Sequence, residues 1–208
     1  MIKQEMDIPG PEGALEAVVH LPDDPSYERF AIVCHPHPLQ EGNMQHKVVT
    51  TMVKAFNAEG IPCVRFNFRG VGKSAGTFGH IAGEVADCMS VVAWVQQQWP
   101  NARLYFAGFS FGAYVAAEAA SKVANTQILI TIAPSVERMP YYDLPNLSCP
   151  WLVVQGENDE IVDPQAVYAW FDQLQANKTM RKFSETGHFF HGKLIELQTI
   201  LQSFVNSG

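Results

Sequence analysis

Residues 104–112 read Leu104-Tyr105-Phe106-Ala107-Gly108-Phe109-Ser110-Phe111-Gly112, and the chain continues Ala113-Tyr114-Val115-Ala116-Ala117. An apolar, strand-like stretch gives way to Gly-x-Ser-x-Gly, and a helix-like run follows at once. Strand, tight turn, helix is the setting in which this motif carries a nucleophile. The serine has to stand at the apex of a sharp turn with its hydroxyl exposed. Side chains two residues before and after it would strike neighbouring backbone, so both positions are glycine. Ser110 is the candidate nucleophile; the competing reading is an ordinary glycine-rich turn.

Outward from this turn the chain alternates. Strand candidates are 14–21, 30–34, 61–66, 103–108, 127–133, 151–155 and 179–184, with a more polar one near 2–7. Helix candidates are 45–59, 83–98, 111–124, 164–176 and 192–205. Val85, Cys88, Met89, Val92 and Val95 recur on a 3.6-residue period. Runs such as Ile128-Leu129-Ile130-Thr131-Ile132 are apolar throughout, as strands buried on both faces are. The pattern predicts an α/β fold: a mostly parallel sheet of about seven to eight strands with helices on both faces. Ligands in such sheets sit at the carboxyl ends of the strands. A chain of 208 residues fits one domain spanning 1–208.

Composition narrows the function classes. Apolar residues make up 47% and charged residues 17%, which is a globular balance. The formal charge of −7, with no lysine or arginine cluster, argues against nucleic acid or an anionic membrane as partner. No signal-peptide core and no run approaching ~20 apolar residues is present, so the expectation is a soluble, cytoplasmic protein. The four cysteines are scattered without a Cys-x-x-Cys pair and are expected as reduced thiols.

A serine nucleophile needs a base, and the base needs an orienting acid. The strand at 151–155 runs into Gly156-Glu157-Asn158-Asp159-Glu160-Ile161-Val162-Asp163, and the strand at 179–184 into Glu185-Thr186-Gly187-His188-Phe189-Phe190-His191. Both loops fall on the same edge of a parallel sheet, in the chain order serine, acid, histidine. Glu157, Asp159, Glu160 and Asp163 are the candidate acids, and His188 and His191 the candidate bases. The stretches HPHP (35–38), RFNFRGVGKS (65–74), GFSFGA (108–113), QGENDEIV (155–162) and GHFFHGK (187–193) together resemble the α/β-hydrolase superfamily. The resemblance covers about residues 28 to 205. More narrowly, the chain is similar to the small cap-less bacterial serine hydrolases near the dienelactone-hydrolase and acyl-peptidase-like families. It implies Asp159 as the acid, in Gly-x-x-Asp-x-x-Val, and His188 as the base after Gly187.

Acyl transfer also needs two preorganised donors for the oxyanion. In the fold so implied, one is the backbone N–H after the serine, here Phe111. The other comes from the loop after the third strand, His35-Pro36-His37-Pro38. Proline has no N–H, so within Pro36-His37-Pro38 only His37 can donate. The two prolines also stiffen the loop. The alternative, a metal held by His35 and His37, lacks a third ligand at a plausible spacing, with His46 inside a predicted helix. Arg69-Gly70-Val71-Gly72-Lys73-Ser74 imitates the end of a phosphate loop, but the required upstream glycine is Asn67. The interval from Pro134 to Pro150 holds four prolines and is too short for a cap domain. An open site follows, lined by aromatic and apolar side chains, with Leu39, Phe109, Tyr141 and Phe189 as pocket candidates.

The sequence therefore predicts a serine esterase-like hydrolase: a Ser110–His188–Asp159 triad, an oxyanion hole from His37 and Phe111, no metal and no cofactor. The expected partner is a small-molecule acyl substrate, with no nucleic acid and no membrane, and the chain is monomer or homodimer. A thioesterase or small-amide hydrolase would use the same parts. From another class, the fold kept only as a non-catalytic binding module is the rival.

Overall fold

The computed structural model describes residues 2–207. In chain order the elements are β1 (Ile2–Gly10), β2 (Gly13–Leu21), β3 (Arg29–Cys34), α1 (Lys47–Ala58), β4 (Cys63–Phe66), α2 (Ala82–Gln98) and β5 (Arg103–Phe109). There follow α3 (Phe111–Ser121), β6 (Thr126–Ile132), β7 (Trp151–Gly156), α4 (Pro164–Gln173), β8 (Lys178–Phe183) and α5 (Leu194–Ser207). The eight strands form one sheet in the order β1-β2-β4-β3-β5-β6-β7-β8. β1 and β2 are antiparallel; from β4 to β8 every pairing is parallel. The polar first strand is longer than its sequence suggested and runs to Gly10 as an edge, where one-sided burial leaves polar residues outside.

Period-two alternation divides the sheet between two cores. Phe30, Ile32 and Cys34 of β3, with Leu104 and Phe106 of β5, pack on the side of α2, α3 and α4. Ala31 and Val33, with Tyr105, Ala107 and Phe109, pack on the side of α1 and α5. Strands buried on both faces need apolar residues at every position, which is why β5, β6 and β7 read as unbroken runs. The four cysteines are buried free thiols. Between β6 and β7 only a single 3₁₀ turn, Tyr141–Asp143, interrupts the coil, so nothing in that interval builds a cap. No helix among the described residues is long and apolar enough to cross a membrane.

The glycine-rich loop after β4 is structural. The Arg69 guanidinium lies against Asp87 of α2 (Nη2–Oδ1 2.7 Å, Nε–Oδ2 3.0 Å), and the Arg69 N–H donates to the same carboxylate. Asp87 is fully buried, and Glu12 lies 3.5 Å from the other arm of the guanidinium. Ser74 Oγ donates to Asn67 O and accepts from Glu16 N–H, which pins the loop to β2. Arg69 is thus occupied within the fold rather than offered to a ligand.

Candidate active site

Four loops at the carboxyl ends of β3, β5, β7 and β8 meet around one cleft. β5 delivers Ser110. Its backbone sits at φ 55°, ψ −115°, a strained conformation for a side chain that costs on the order of 1–3 kcal/mol. The flanking glycines follow from close approach. A Cβ on Gly108 would lie 2.1 Å from Gly112 O, and one on Gly112 would lie 2.3 Å from His35 O. Any side chain at either position forces the turn apart. Ser110 N–H is anchored to Ile132 O of β6, and Ser110 O accepts from Ala113 N–H as α3 begins. The hydroxyl is left without a hydrogen bond among the described residues and faces the cleft.

β3 delivers the proline-flanked loop. His35 is a latch: Nδ1–H donates to Pro36 O (2.7 Å), and Nε2 accepts from Phe68 N–H (3.0 Å). Burial drives its pKa down to about 3, so the ring is neutral, and both nitrogens are committed. His37 O accepts from Gln40 and Gly42 N–H, which folds the loop over itself, and His37 Nδ1 caps the following turn by accepting from Leu39 N–H (3.1 Å). The His37 ring packs between Phe78 and Phe111, and burial lowers its pKa. Among the described residues the backbone N–H groups of His37 and Phe111 donate to no partner.

β7 and β8 deliver the acid and the imidazole. His188 Nδ1–H donates to Asp159 Oδ2 at 2.9 Å, leaving Nε2 as the ring's free nitrogen. Asp159 Oδ1 accepts from Ile161 and Val162 N–H, and Oδ2 also accepts from Gln155 Nε2. Burial by itself would raise the Asp159 pKa; the bonds from His188 and from the two backbone amides outweigh it and hold the carboxyl below its ordinary value. The other candidate acids do different work. Asp163 caps α4 through Gln165 N–H, and Glu160 accepts the His188 backbone N–H at 3.1 Å; Glu157 is exposed. His191 is exposed beside Phe189, whereas His188 is buried.

The cleft has a volume of about 350 Å³, and Ser110, His37, His188, His46, Ile161 and Phe189 are among its walls. Of the four pocket candidates, Phe189 lines it. Phe109 is fully buried under the rings of His46 and His188 (centroids 5.0 and 4.9 Å) and supports them from below. Tyr141 is buried against Tyr114 and Trp170 and belongs to the core. Leu39 lies outside the cleft, 70% exposed on the outer turn. His46, which the sequence offered only as a distant metal ligand, is a wall of the cleft. It caps α1 by accepting from Val48 N–H, and burial, followed by the nearby His188, His191 and Lys47, lowers its pKa to about 4.

A family model described as "Serine aminopeptidase, S33" matches residues 42–146. That span includes the Ser110 turn and stops before the Asp159 and His188 loops. An uncharacterized protein of Rickettsia prowazekii is 34% identical over 205 residues, covering 94% of this chain and 86% of its own. The structure of an alpha-beta serine hydrolase homologue from Coxiella burnetii superposes with a TM-score of 0.93 at 41% identity, covering 98% of this chain and 97% of that one. A serine hydrolase without lid from Xanthomonas campestris gives 0.93 at 45% identity, covering 99% and 94%. Fold and relatives together define a serine hydrolase of the α/β-hydrolase class that lacks a cap domain. Within that class the chain belongs to the serine aminopeptidase S33 family.

Proposed function

We propose that the protein cleaves carboxylic ester-type bonds through an acyl-enzyme, with residues 1–208 acting as one hydrolase domain. Ser110 Oγ attacks the acyl carbonyl, and His188 Nε2 takes its proton. The oxyanion is held by the N–H groups of His37 and Phe111. The acyl–oxygen bond then breaks, and the leaving oxygen takes the proton from His188. Water repeats the sequence and releases the acid. Asp159 keeps His188 in the tautomer that presents Nε2 as base and stabilises the imidazolium. The single observation that carries this reading is the 2.9 Å bond from His188 to a fully hydrogen-bonded Asp159 across the cleft from a strained serine.

The serine aminopeptidase description of the family adds amide substrates to the panel, since the same groups cleave an amide if the leaving nitrogen can be protonated. The deciding experiment is intact-mass analysis after a fluorophosphonate probe. One adduct on the wild type and none on Ser110→Ala is the expected result. No adduct on the wild type would favour the non-catalytic module instead.

The oxyanion assignment has a test of its own. His37→Ala keeps the backbone N–H and should lower kcat/KM by less than about tenfold. His37→Pro removes the donor at a residue whose φ of −56° proline can adopt, and should lower kcat by ~10²–10³-fold. Ester kinetics on the two variants check this; a complete loss in His37→Ala would return the role to the side chain.

A further inference from the structure

Phe189 and His46 stand between two hollows. One is the cleft that holds Ser110 and His188. The other, about 380 Å³, is lined by Asn43, Gln45, His46, Lys47, Phe189 and His191. Rings run continuously from the first to the second: Phe189 lies 5.2 Å from His188, 5.8 Å from His46 and 5.9 Å from His191, centroid to centroid. Beside the neutral Asn43 and Gln45, the ionisable side chains of the second hollow are all basic. In a chain of net charge −7 it contains Lys47 and His191 and no carboxylate. Among the described residues Lys47 makes no ion pair. A third hollow, which shares Asn43 and Gln45 with it, carries Glu16 and Glu41 instead, and Glu41 also reaches the cleft. Among the described residues, the hollow reached over Phe189 and His46 is thus the one beside the cleft whose ionisable side chains are basic.

The direction of bond breaking says which part of a substrate meets the cationic side. The atom that takes the proton from His188 is the leaving oxygen, so the leaving group departs along the His188 flank, over Phe189 and His46. We propose that the hollow beyond these two rings is the leaving-group subsite, and that it selects esters whose alcohol portion ends in an anionic substituent, carboxylate or phosphate, met by Lys47 and His191. This rests on the ester-hydrolase reading above and adds the substrate class to it. Lys47 and His191 touch the substrate at a distance from the reacting atoms, so they act on binding and not on the chemical step.

The test uses aryl acetates matched in shape: 4-acetoxybenzoate and 4-acetoxyphenyl phosphate as anions, and 4-acetoxybenzamide as the neutral reference. Each rate is normalised to that ester's own base hydrolysis. An exposed pair of charges yields a modest factor, so the anionic-to-neutral ratio of kcat/KM should be about threefold to fivefold, carried by KM. It should shrink toward one in about 0.5 M salt. Lys47→Met should bring the ratio close to one, and Lys47→Glu should invert it. Lys122→Met, at the C-terminal cap of α3 beside Glu118, should leave the ratio in place. The larger ratio of the two anions identifies which one the subsite takes. A wild-type ratio of one, or a ratio unmoved by Lys47→Glu, overturns the subsite while the neutral ester is still hydrolysed. Failure to hydrolyse any of the three, with no fluorophosphonate adduct, overturns the ester reading and the subsite with it.

Discussion

Ser110→Ala should lower kcat on an activated acetate ester by about 10⁴-fold or more, leaving only what the oxyanion donors and binding supply without a nucleophile. The structure makes this a clean substitution. Ser110 Oγ bonds nothing among the described residues, so no cap or network is lost with it. Alanine keeps a Cβ at the same strained φ of 55°, so the turn should hold its shape and the thermal midpoint should move little. Loss of rate with an unchanged melting curve is the expected pair of results. A variant rate within tenfold of the wild type would remove Ser110 from the mechanism, because among the described residues no second hydroxyl lines the cleft beside His188.

How much of this site could be read without coordinates depended on the kind of constraint. The Gly108 and Gly112 positions were legible because they answer a local collision, with partners supplied by the turn itself and by the strand next to it. The alternation of strands and helices was legible because burial on both faces writes itself into every residue of β5, β6 and β7. The pocket walls were not. Phe109, Tyr141 and Phe189 are equally aromatic in sequence, and only packing decides that the first supports two imidazoles, the second fills the core against Trp170, and the third faces the cleft. The histidines show the same limit. His35 looks like a ligand beside His37, yet one of its nitrogens is consumed by Pro36 O and the other by Phe68 N–H. His46 looked unconnected because it enters the cleft only through the position of α1, which no local pattern encodes.

Asp159→Asn should lower kcat by ~10⁴-fold, and Asp163→Asn by less than about threefold. The reason lies in the direction of each hydrogen bond. Asp159 receives four N–H groups: Ile161 and Val162 on Oδ1, Gln155 and His188 on Oδ2. An amide at this position has one oxygen and one NH₂ to offer four donors. If the oxygen keeps the two backbone amides, the NH₂ faces Gln155 and His188. Gln155 can meet it only by turning its own amide, which brings the partnerless Oε1 to the new NH₂ and gives up the bond from Nε2 to Gly156 O. His188 can adapt only by moving its proton to Nε2 and accepting on Nδ1, and that tautomer cannot take the proton of Ser110. The opposite orientation of the amide sets two donors against two buried backbone N–H groups and costs the loop instead. Asp163 poses no such conflict: it accepts one N–H, from Gln165, at the start of α4, and asparagine caps a helix about as well. Ester kinetics on the two variants, with thermal melts alongside, separate the cases. If Asp163→Asn proved the more damaging, the 2.9 Å bond to His188 would be structural and the orienting acid would have to be sought elsewhere on the β7 loop.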